Sequence, residues 1–167
     1  MNFAGAGFVL LSPDLSTLVV HDARSGKWGP PKGHREVYDA DDLATATREC
    51  REETGLTPDD YTVLPDVFKI SKGSQSYLFR YAVLKDDAYK SRIVPGPADE
   101  IADVRWIPLS QLLDAGSVLD GNKYLRTWIS DIKANLSKKH VHLFKALCAR
   151  LLPLYESVGS TNVVTCV

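Results

Sequence analysis

The segment Gly33–Leu56 reads GHREVYDADDLATATRECREETGL, and its second half decides the fold and the chemistry of this chain. Apolar and small residues recur at helical spacing from Leu43 to Thr54. Gly55 follows directly, and a glycine at that place commonly ends a helix in the left-handed conformation. The pattern predicts a helix over residues 42–54.

Three glutamates share one face of this helix. Glu49, Glu52 and Glu53 stand at positions i, i+3 and i+4, so their side chains lie within about 100° of arc. Carboxylates held this close repel one another, whereas together they offer the hard oxygen ligands that Mg²⁺ or Mn²⁺ prefers. Arg48 can reach Glu52 one turn further on and help to fix the cluster. From the helix alone, an exposed acidic face interleaved with arginines is an equally good interpretation.

The loop ahead of the helix favours the catalytic interpretation. Lys32 follows two prolines, which stiffen the backbone and present its ammonium group at a defined place. Gly33 allows the backbone to approach a metal or a phosphate closely. Clustered acids beside a positioned lysine are the parts needed for metal-assisted attack of water on a phosphoanhydride.

These residues resemble the Nudix box, G-x5-E-x7-R-E-U-x-E-E-x-G-U, in which U is aliphatic. The matching positions are Arg48, Glu49, Glu52, Glu53, Gly55 and Leu56. Cys50 replaces an aliphatic residue, and we assign it to packing. Asp39 stands where a glutamate is expected, with one extra residue between it and Arg48, so we expect a locally altered loop.

The resemblance implies an α/β fold, a Nudix-type α/β/α sandwich with a mixed sheet, to which this chain adds a C-terminal helical extension. It also implies hydrolysis of a nucleoside diphosphate linked to another group, with Mg²⁺ (or Mn²⁺) as cofactor. By position, Glu52, Glu53 and the carbonyl of Gly33 would bind the metal. Glu49 would be a metal ligand or the base for water, held by Arg48.

A second resemblance concerns the subgroup. The run from Pro30 to His34, with Trp28 and Glu36, is similar to the animal-type diadenosine tetraphosphate hydrolases. The segment 100–106, EIADVRW, resembles their Glu-x4-Arg-Trp sequence. Glu100 is therefore a second candidate for base or metal ligand, although a solvated surface acid fits the sequence equally well.

Aromatic residues are the candidates for substrate binding beside Lys32. Tyr77 and Phe79 alternate with Tyr81 on one face of a predicted strand, where they either belong to the core or stack on a nucleobase. The ring of Trp28 either walls the cleft or packs against the loop. His34 adjoins the phosphate loop and either contacts substrate or lies at the surface.

The remaining sequence predicts a single domain over residues 1–155, with a core at about 3–115, a helical extension at about 121–153 and a tail at 156–167. The chain has 167 residues and a formal charge of −1, which is ordinary for a globular domain. Strands are predicted at 3–11, 17–21, 61–70, 76–84 and 102–107, and a short helix at 109–113. Two amphipathic helices are predicted in the extension, at about 125–136 and 141–151.

Charge and cysteine content bear on partners and location. Basic residues dominate 121–150, where Asp131 is the one acid; they are Lys123, Arg126, Lys133, Lys138, Lys139, Lys145 and Arg150. This segment is either a solvated helix face or a surface for RNA, which keeps mRNA decapping or RNA 5′-pyrophosphohydrolysis open beside a nucleotide polyphosphate substrate. A diphosphoinositol polyphosphate hydrolase and a catalytically silent nucleotide-binding module are further alternatives.

Three widely spaced cysteines and no apolar run long enough for a membrane span favour an intracellular, cytoplasmic protein without a membrane partner.

Overall fold

The fold is a mixed seven-stranded sheet with helices on both faces. The computed structural model describes residues 2–114 and 119–134. The strands are β1 (Gly5–Leu11), β2 (Ser16–Asp22), β3 (Trp28–Gly29), β4 (Lys32–His34), β5 (Tyr61–Lys72), β6 (Gln75–Leu84) and β7 (Ile101–Pro108). The helices are α1 (Asp42–Thr54), α2 (Leu109–Leu113) and α3 (Lys123–Ala134). No helix in these ranges is long and apolar enough to cross a membrane.

The sheet runs in the order β3-β2-β1-β6-β5, with β4 beside β1 and β7 beside β2. The β1–β6 pair is parallel, and the other pairs are antiparallel. β1 and β2 pair only at Leu11 and Thr17, whereas β4 pairs with the start of β1 at residues 5–7. The two short strands β3 and β4 therefore lie on either side of the point where β1 and β2 separate.

Each face of the sheet has its own core. Ala46 and Cys50 of α1 pack with alternate residues of the central strands, including Phe8 and Leu18. On the other face α2 and α3 cover Val9, Val19, Phe79 and Tyr81, with Trp128 of α3 fully buried among them. Helices on both faces of a mixed sheet confirm the predicted α/β/α sandwich.

Both ends of α1 are capped, and its bounds agree with those predicted. The side chain of Asp41 accepts a hydrogen bond from Ala44 N at 2.8 Å, as an N-cap does. Gly55 adopts φ +75° and donates its N–H to Arg51 O, which satisfies one of the final carbonyls. The acidic face is thus held by a helix whose two ends are fixed.

The strand and helix predictions hold with small shifts at the boundaries. β5 continues two residues beyond the predicted end, to Lys72, and a 3-10 helix at Asp87–Arg92 was not predicted. α3 confirms the first helix of the extension. The second predicted helix around 141–151, the tail 156–167 and most of the basic segment lie outside the described residues.

Candidate active site

The acidic face of α1 lies directly against β4. Glu53 Oε2 accepts a hydrogen bond from Lys32 N at 3.0 Å. Arg48, nearer the start of the helix, donates from Nη2 to His34 O at 2.8 Å. Glu49 lies between these two contacts, beside Gly33. The predicted site residues of α1 therefore lie opposite those of β4, with the two sets in reverse order along the chain.

Gly33 is required by the close approach of Glu49. A Cβ built on Gly33 would lie 2.1 Å from Cδ of Glu49 and 2.1–2.2 Å from its carboxylate oxygens. Any side chain at this position would displace that carboxylate. Packing against Glu49 therefore requires a glycine at position 33 of this chain, whether or not a ligand binds.

Arg48 is the centre of the acid cluster. Its Nη1 contacts Glu49 Oε1 at 2.7 Å and Glu52 Oε2 at 3.0 Å, so the predicted reach to Glu52 is present. Its Nε and Nη2 bind both oxygens of Asp39, at 3.2 and 2.9 Å. Arg48 is only 13% exposed, so its position is held by packing as well as by charge.

Asp39 contacts Arg48 although it differs from the Nudix motif in residue type and in its spacing from that arginine. The loop with one extra residue folds back so that the buried carboxylate of Asp39 accepts hydrogen bonds from Glu36 N and Thr45 Oγ1 as well as from Arg48. Arg48 beside it is the main cause that lowers the pKa of Asp39 to about 2. The shorter acid therefore reaches the arginine because the longer loop brings it there.

Burial sets the electrostatics of the two inner glutamates. Desolvation raises the pKa of Glu53 to about 8, although the charge of Lys32 and its backbone N–H act in the other direction. Desolvation also raises the pKa of Glu49, and Arg48 opposes this shift. Glu52 is half exposed at the rim. A partly buried carboxylate such as that of Glu53 costs more free energy to ionise than an exposed one unless a cation lies close to it.

The side chain of Lys32 leads into a group of aromatic rings. Its Nζ lies 5.3 Å from the ring centroid of Tyr124 and 5.9 Å from that of Tyr77. The two tyrosine rings are 4.9 Å apart, and the Tyr77 hydroxyl lies 3.2 Å from Nδ1 of His34. Lys32, His34 and Tyr77, all predicted to bind substrate, are therefore neighbours.

The sequence also matches a known family. Residues 1–129 match the NUDIX domain family. This chain belongs to that family. The match covers most of the chain and includes α1, β4 and the start of α3, so it agrees with the fold described above. Nudix hydrolases act on pyrophosphate bonds and generally use a divalent metal.

Individual relatives of this Nudix chain are distant. A protein of Acanthamoeba polyphaga mimivirus, provisionally named an mRNA-decapping protein, is 26% identical over 96 residues, 54% of this chain and 27% of the relative. An uncharacterised 17.7 kDa protein of Enterobacteria phage T4 is 33% identical over 92 residues, 50% of this chain and 61% of the relative. The chain thus spans less than two thirds of either curated relative.

Solved structures show the same Nudix fold. The crystal structure of a Caenorhabditis elegans Ap4A hydrolase binary complex superposes with a TM-score of 0.57 and 22% identity. The superposition covers 78% of this chain and 99% of the other. At this identity the likeness supports the fold and not a shared substrate.

Two of the rings predicted to contact substrate, Tyr77 and Phe79, belong to the core of this Nudix structure, where they are 4% and 0% exposed. Phe79 is completely buried between Phe68 and Tyr124, because β6 is an internal strand whose face is covered by α3. Its ring is therefore core and not a free stacking surface. Trp28 is half buried and already stacked on His21, with ring centroids 4.5 Å apart, and the guanidinium of Arg105 lies 5.1 Å from its centroid.

Glu100 lies apart from the contacts within the Nudix acid cluster. Its half-exposed carboxylate pairs with Arg24 at 3.3 Å, and its backbone carbonyl accepts from Ala23 N. The adjoining end of β2 carries Asp22, which the sequence did not single out. Burial alone would raise the pKa of Asp22, but N–H groups of Ser25 and Arg24 and the charge of Lys32 lower it.

Tyr124 and Asn122 are site residues that sequence reasoning missed. Asn122 N donates to Trp28 O at 2.7 Å, and its side chain fills the space left by Gly29, where a Cβ would lie 1.9 Å from Nδ2. Asn122 Oδ1 also accepts from Leu125 N at the start of α3. This link fixes α3 on the sheet and places Tyr124 over Lys32. Only the missing side chain of Gly29 hinted at a close contact.

Proposed function

We propose that this Nudix domain hydrolyses a phosphoanhydride bond of a nucleoside diphosphate-linked substrate, with a dinucleoside polyphosphate such as diadenosine tetraphosphate as its substrate. The observation that carries the proposal is the position of the partly buried Glu53, whose carboxylate accepts from Lys32 N while Glu49 lies against Gly33 beside it. Desolvation there raises the pKa of Glu53 to about 8. A fold rarely buries an acid of this kind without a function for it.

The donor set fits a hard divalent cation, which we take to be Mg²⁺ or Mn²⁺. Glu49, Glu52 and Glu53 offer carboxylate oxygens only, and Gly33 leaves the space in which the Glu49 carboxylate sits. Within residues 2–114 and 119–134 no three acidic, histidine or cysteine side chains are already grouped as a metal site. Binding therefore requires the glutamates to turn toward a common point, which the half-exposed Glu52 can do most easily.

Each charged residue of the candidate site would have its own role in the hydrolysis. A bound divalent metal would neutralise phosphate charge and activate water. Glu49, with its pKa raised by burial, would accept the proton of the water whose oxygen attacks phosphorus, and the bridging P–O bond would break. Arg48 would hold Glu49 and Glu52 in position, and Lys32 would bind phosphate oxygens. Glu100 would assist as a second base or ligand only after releasing Arg24.

A nucleoside would bind beside the phosphates. Lys32, His34, Tyr77 and Tyr124 combine a cation with aromatic rings next to the acid cluster. The rings of Tyr77 and Tyr124 are buried, whereas His34 is exposed and Lys32 partly exposed. A nucleotide suits this surface, because its phosphates carry negative charge for Lys32 and its base would lie against the imidazole of His34. The resemblance of segments 28–36 and 100–106 to diadenosine tetraphosphate hydrolases supports the same choice.

A hydrolysis panel tests the proposal. Diadenosine tetraphosphate, capped RNA, a nucleotide sugar and a diphosphoinositol would each be incubated with the protein and Mg²⁺, and the products separated by chromatography. Asymmetric cleavage of the dinucleotide to ATP and AMP is expected. Turnover of the nucleotide sugar or the diphosphoinositol alone would contradict the proposed substrate, and no turnover of any compound would favour a silent nucleotide-binding module.

RNA decapping is the second candidate, because the mimivirus relative carries that provisional name and α3 is basic. Lys123, Arg126 and Lys133 lie on α3, with Asp131 as its one acid. Release of methylguanosine diphosphate from long capped RNA alone, with affinity that falls steeply as salt rises, would establish this function instead. The dinucleotide would then remain uncleaved.

A further inference from the structure

The loop between β4 and α1 exposes two apolar side chains beside the acid cluster. Val37 is 98% and Tyr38 70% exposed, and among the described residues only two other large apolar side chains are exposed rather than buried or partly buried. The other two, Val67 and Val94, lie on β5 and on the segment after the 3-10 helix. An exposed aromatic ring next to a site offers a surface for recognition, and here that ring is Tyr38.

The loop that carries them is firmly held. Asp39 N donates to Glu36 O at 3.1 Å, and Glu36 N donates to the Asp39 carboxylate at 2.9 Å. Arg48 and Thr45 bind the same carboxylate from α1. Tyr38 therefore projects from a rigid turn, so a ligand that contacts its ring would not first have to order the loop.

The order of contacts along β4 shows where Tyr38 lies relative to the acids. From one end to the other, Lys32 N binds Glu53, Gly33 faces Glu49, and His34 O accepts from Arg48. The Arg48 guanidinium then lies 5.9 Å from the ring centroid of Tyr38. The ring of Tyr38 thus lies at the Arg48 end of the acid cluster, whereas Glu53 at the other end binds Lys32 N.

In a dinucleoside polyphosphate the phosphate chain lies between two nucleosides. If its phosphates lie over the acids and one nucleoside lies beside Lys32, the chain continues toward Tyr38. We propose that Tyr38 is a specificity-determining residue that stacks on the second nucleoside of a dinucleoside polyphosphate. The inference rests on the proposed function and deepens it, because it assigns the part of the substrate beyond the scissile phosphates.

The test compares two substrates that share four phosphates and differ in the second nucleoside. Diadenosine tetraphosphate has that nucleoside and adenosine tetraphosphate lacks it. The variants are Tyr38→Ala, Tyr38→Phe, which keeps the ring, and Val37→Ala, which alters the same turn without touching the ring. Michaelis constants and turnover numbers would be measured for each with Mg²⁺.

Tyr38→Ala is expected to raise KM for diadenosine tetraphosphate about tenfold, the size of one lost base stack. Turnover at saturation and both constants for adenosine tetraphosphate should stay unchanged. Tyr38→Phe should restore the wild-type KM, and Val37→Ala should leave it unaltered. An equal rise in KM for both substrates, or no change for either, would overturn the assignment.

Failure of the proposed function gives a different result. If the wild-type protein cleaves neither compound, the dissociation constants of both would be measured by calorimetry with Mg²⁺. A preference for diadenosine tetraphosphate that Tyr38→Ala abolishes would retain the role of Tyr38 in a binding module. Equal affinities, or no binding, would remove it.

Discussion

The partly buried Glu53 should make the stability of the metal-free protein depend on pH. Its folded-state pKa of about 8 exceeds the ordinary value of 4.5, so the folded state holds more protons than the unfolded state between these limits. Stability in the presence of a chelator should therefore fall as pH rises from about 5 to about 8. Addition of Mg²⁺ at pH 8 should restore it.

The variant Glu53→Gln isolates this effect, because the amide keeps an oxygen for Lys32 N and cannot ionise. Urea unfolding at pH 5 and pH 8 would give the free energies of unfolding. We expect the variant to lose the decline with pH and to gain little from Mg²⁺. A wild-type protein equally stable at both pH values in chelator would contradict the assignment of a desolvated carboxyl at Glu53.

Asp39 has the opposite pH dependence. Its pKa is lowered from 3.8 to about 2, chiefly by Arg48, so its contribution to stability is present above about pH 4 and disappears as pH falls toward 2. Asp39→Asn should reduce the free energy of unfolding at pH 7 by about 2 kcal/mol, since Arg48 loses a buried charged partner. Thermal unfolding between pH 2 and 7 would show whether the variant also loses part of the acid-induced decline.

At the residue scale the sequence predicted which residues come together better than it predicted what surrounds them. Glu49, Glu53, Lys32 and Gly33 come together as expected, because helix and strand periodicity fix their order along α1 and β4. The role of Asp39 was not predictable, since it depends on how an irregular loop folds back. For Phe79 the sequence left two interpretations open, a core side chain or a ring that stacks on a nucleobase. Alternation along a strand cannot distinguish them, because both place the ring on the same face of the sheet.

At the scale of elements, the end of α1 depends on a conformation that glycine adopts most easily. Gly55 has φ +75°, and a Cβ there would lie 2.9 Å from Cβ of Val94, whose N–H binds Thr54 O. Gly55→Ala should therefore lower the free energy of unfolding by about 2 kcal/mol through strain and contact together.

Gly73 offers a matched control, because it has φ +62° and a Cβ at this position would meet nothing within 4 Å. Gly73→Ala should lower the free energy of unfolding by about 1 kcal/mol, the cost of the conformation alone. Chemical denaturation of both variants would give the difference. Equal losses would show that the segment carrying Val94 yields without cost and does not restrain the C-terminus of α1.

Capping residues and periodicity made α1 predictable to its ends, whereas strand limits depended on neighbours. β5 extends to Lys72 because β6 pairs with it as far as Gln75. The short strands β3 and β4 exist because partners on β2 and β1 are available to them. Pro30 and Pro31 predicted a stiff backbone there, and only the sheet topology shows that a short strand lies on either side of them.

At the scale of the whole molecule, the candidate site joins parts that are distant in the sequence. The link between Asn122 and Trp28 brings α3 to the sheet, and Tyr124 then covers Lys32. No local pattern encodes this contact. The family and the acids could therefore be predicted from the sequence, while the surroundings of the substrate required the fold.

The central claim is that the acidic face of α1 performs metal-dependent hydrolysis. The most direct measurement is the turnover number of wild type, Glu53→Gln and Asp131→Asn on diadenosine tetraphosphate at saturating Mg²⁺, with Asp131 as an acid on another helix. Loss of several kcal/mol of metal-derived stabilisation should slow Glu53→Gln by at least about a hundredfold. Asp131→Asn should match the wild type. Wild-type turnover in Glu53→Gln would contradict the account.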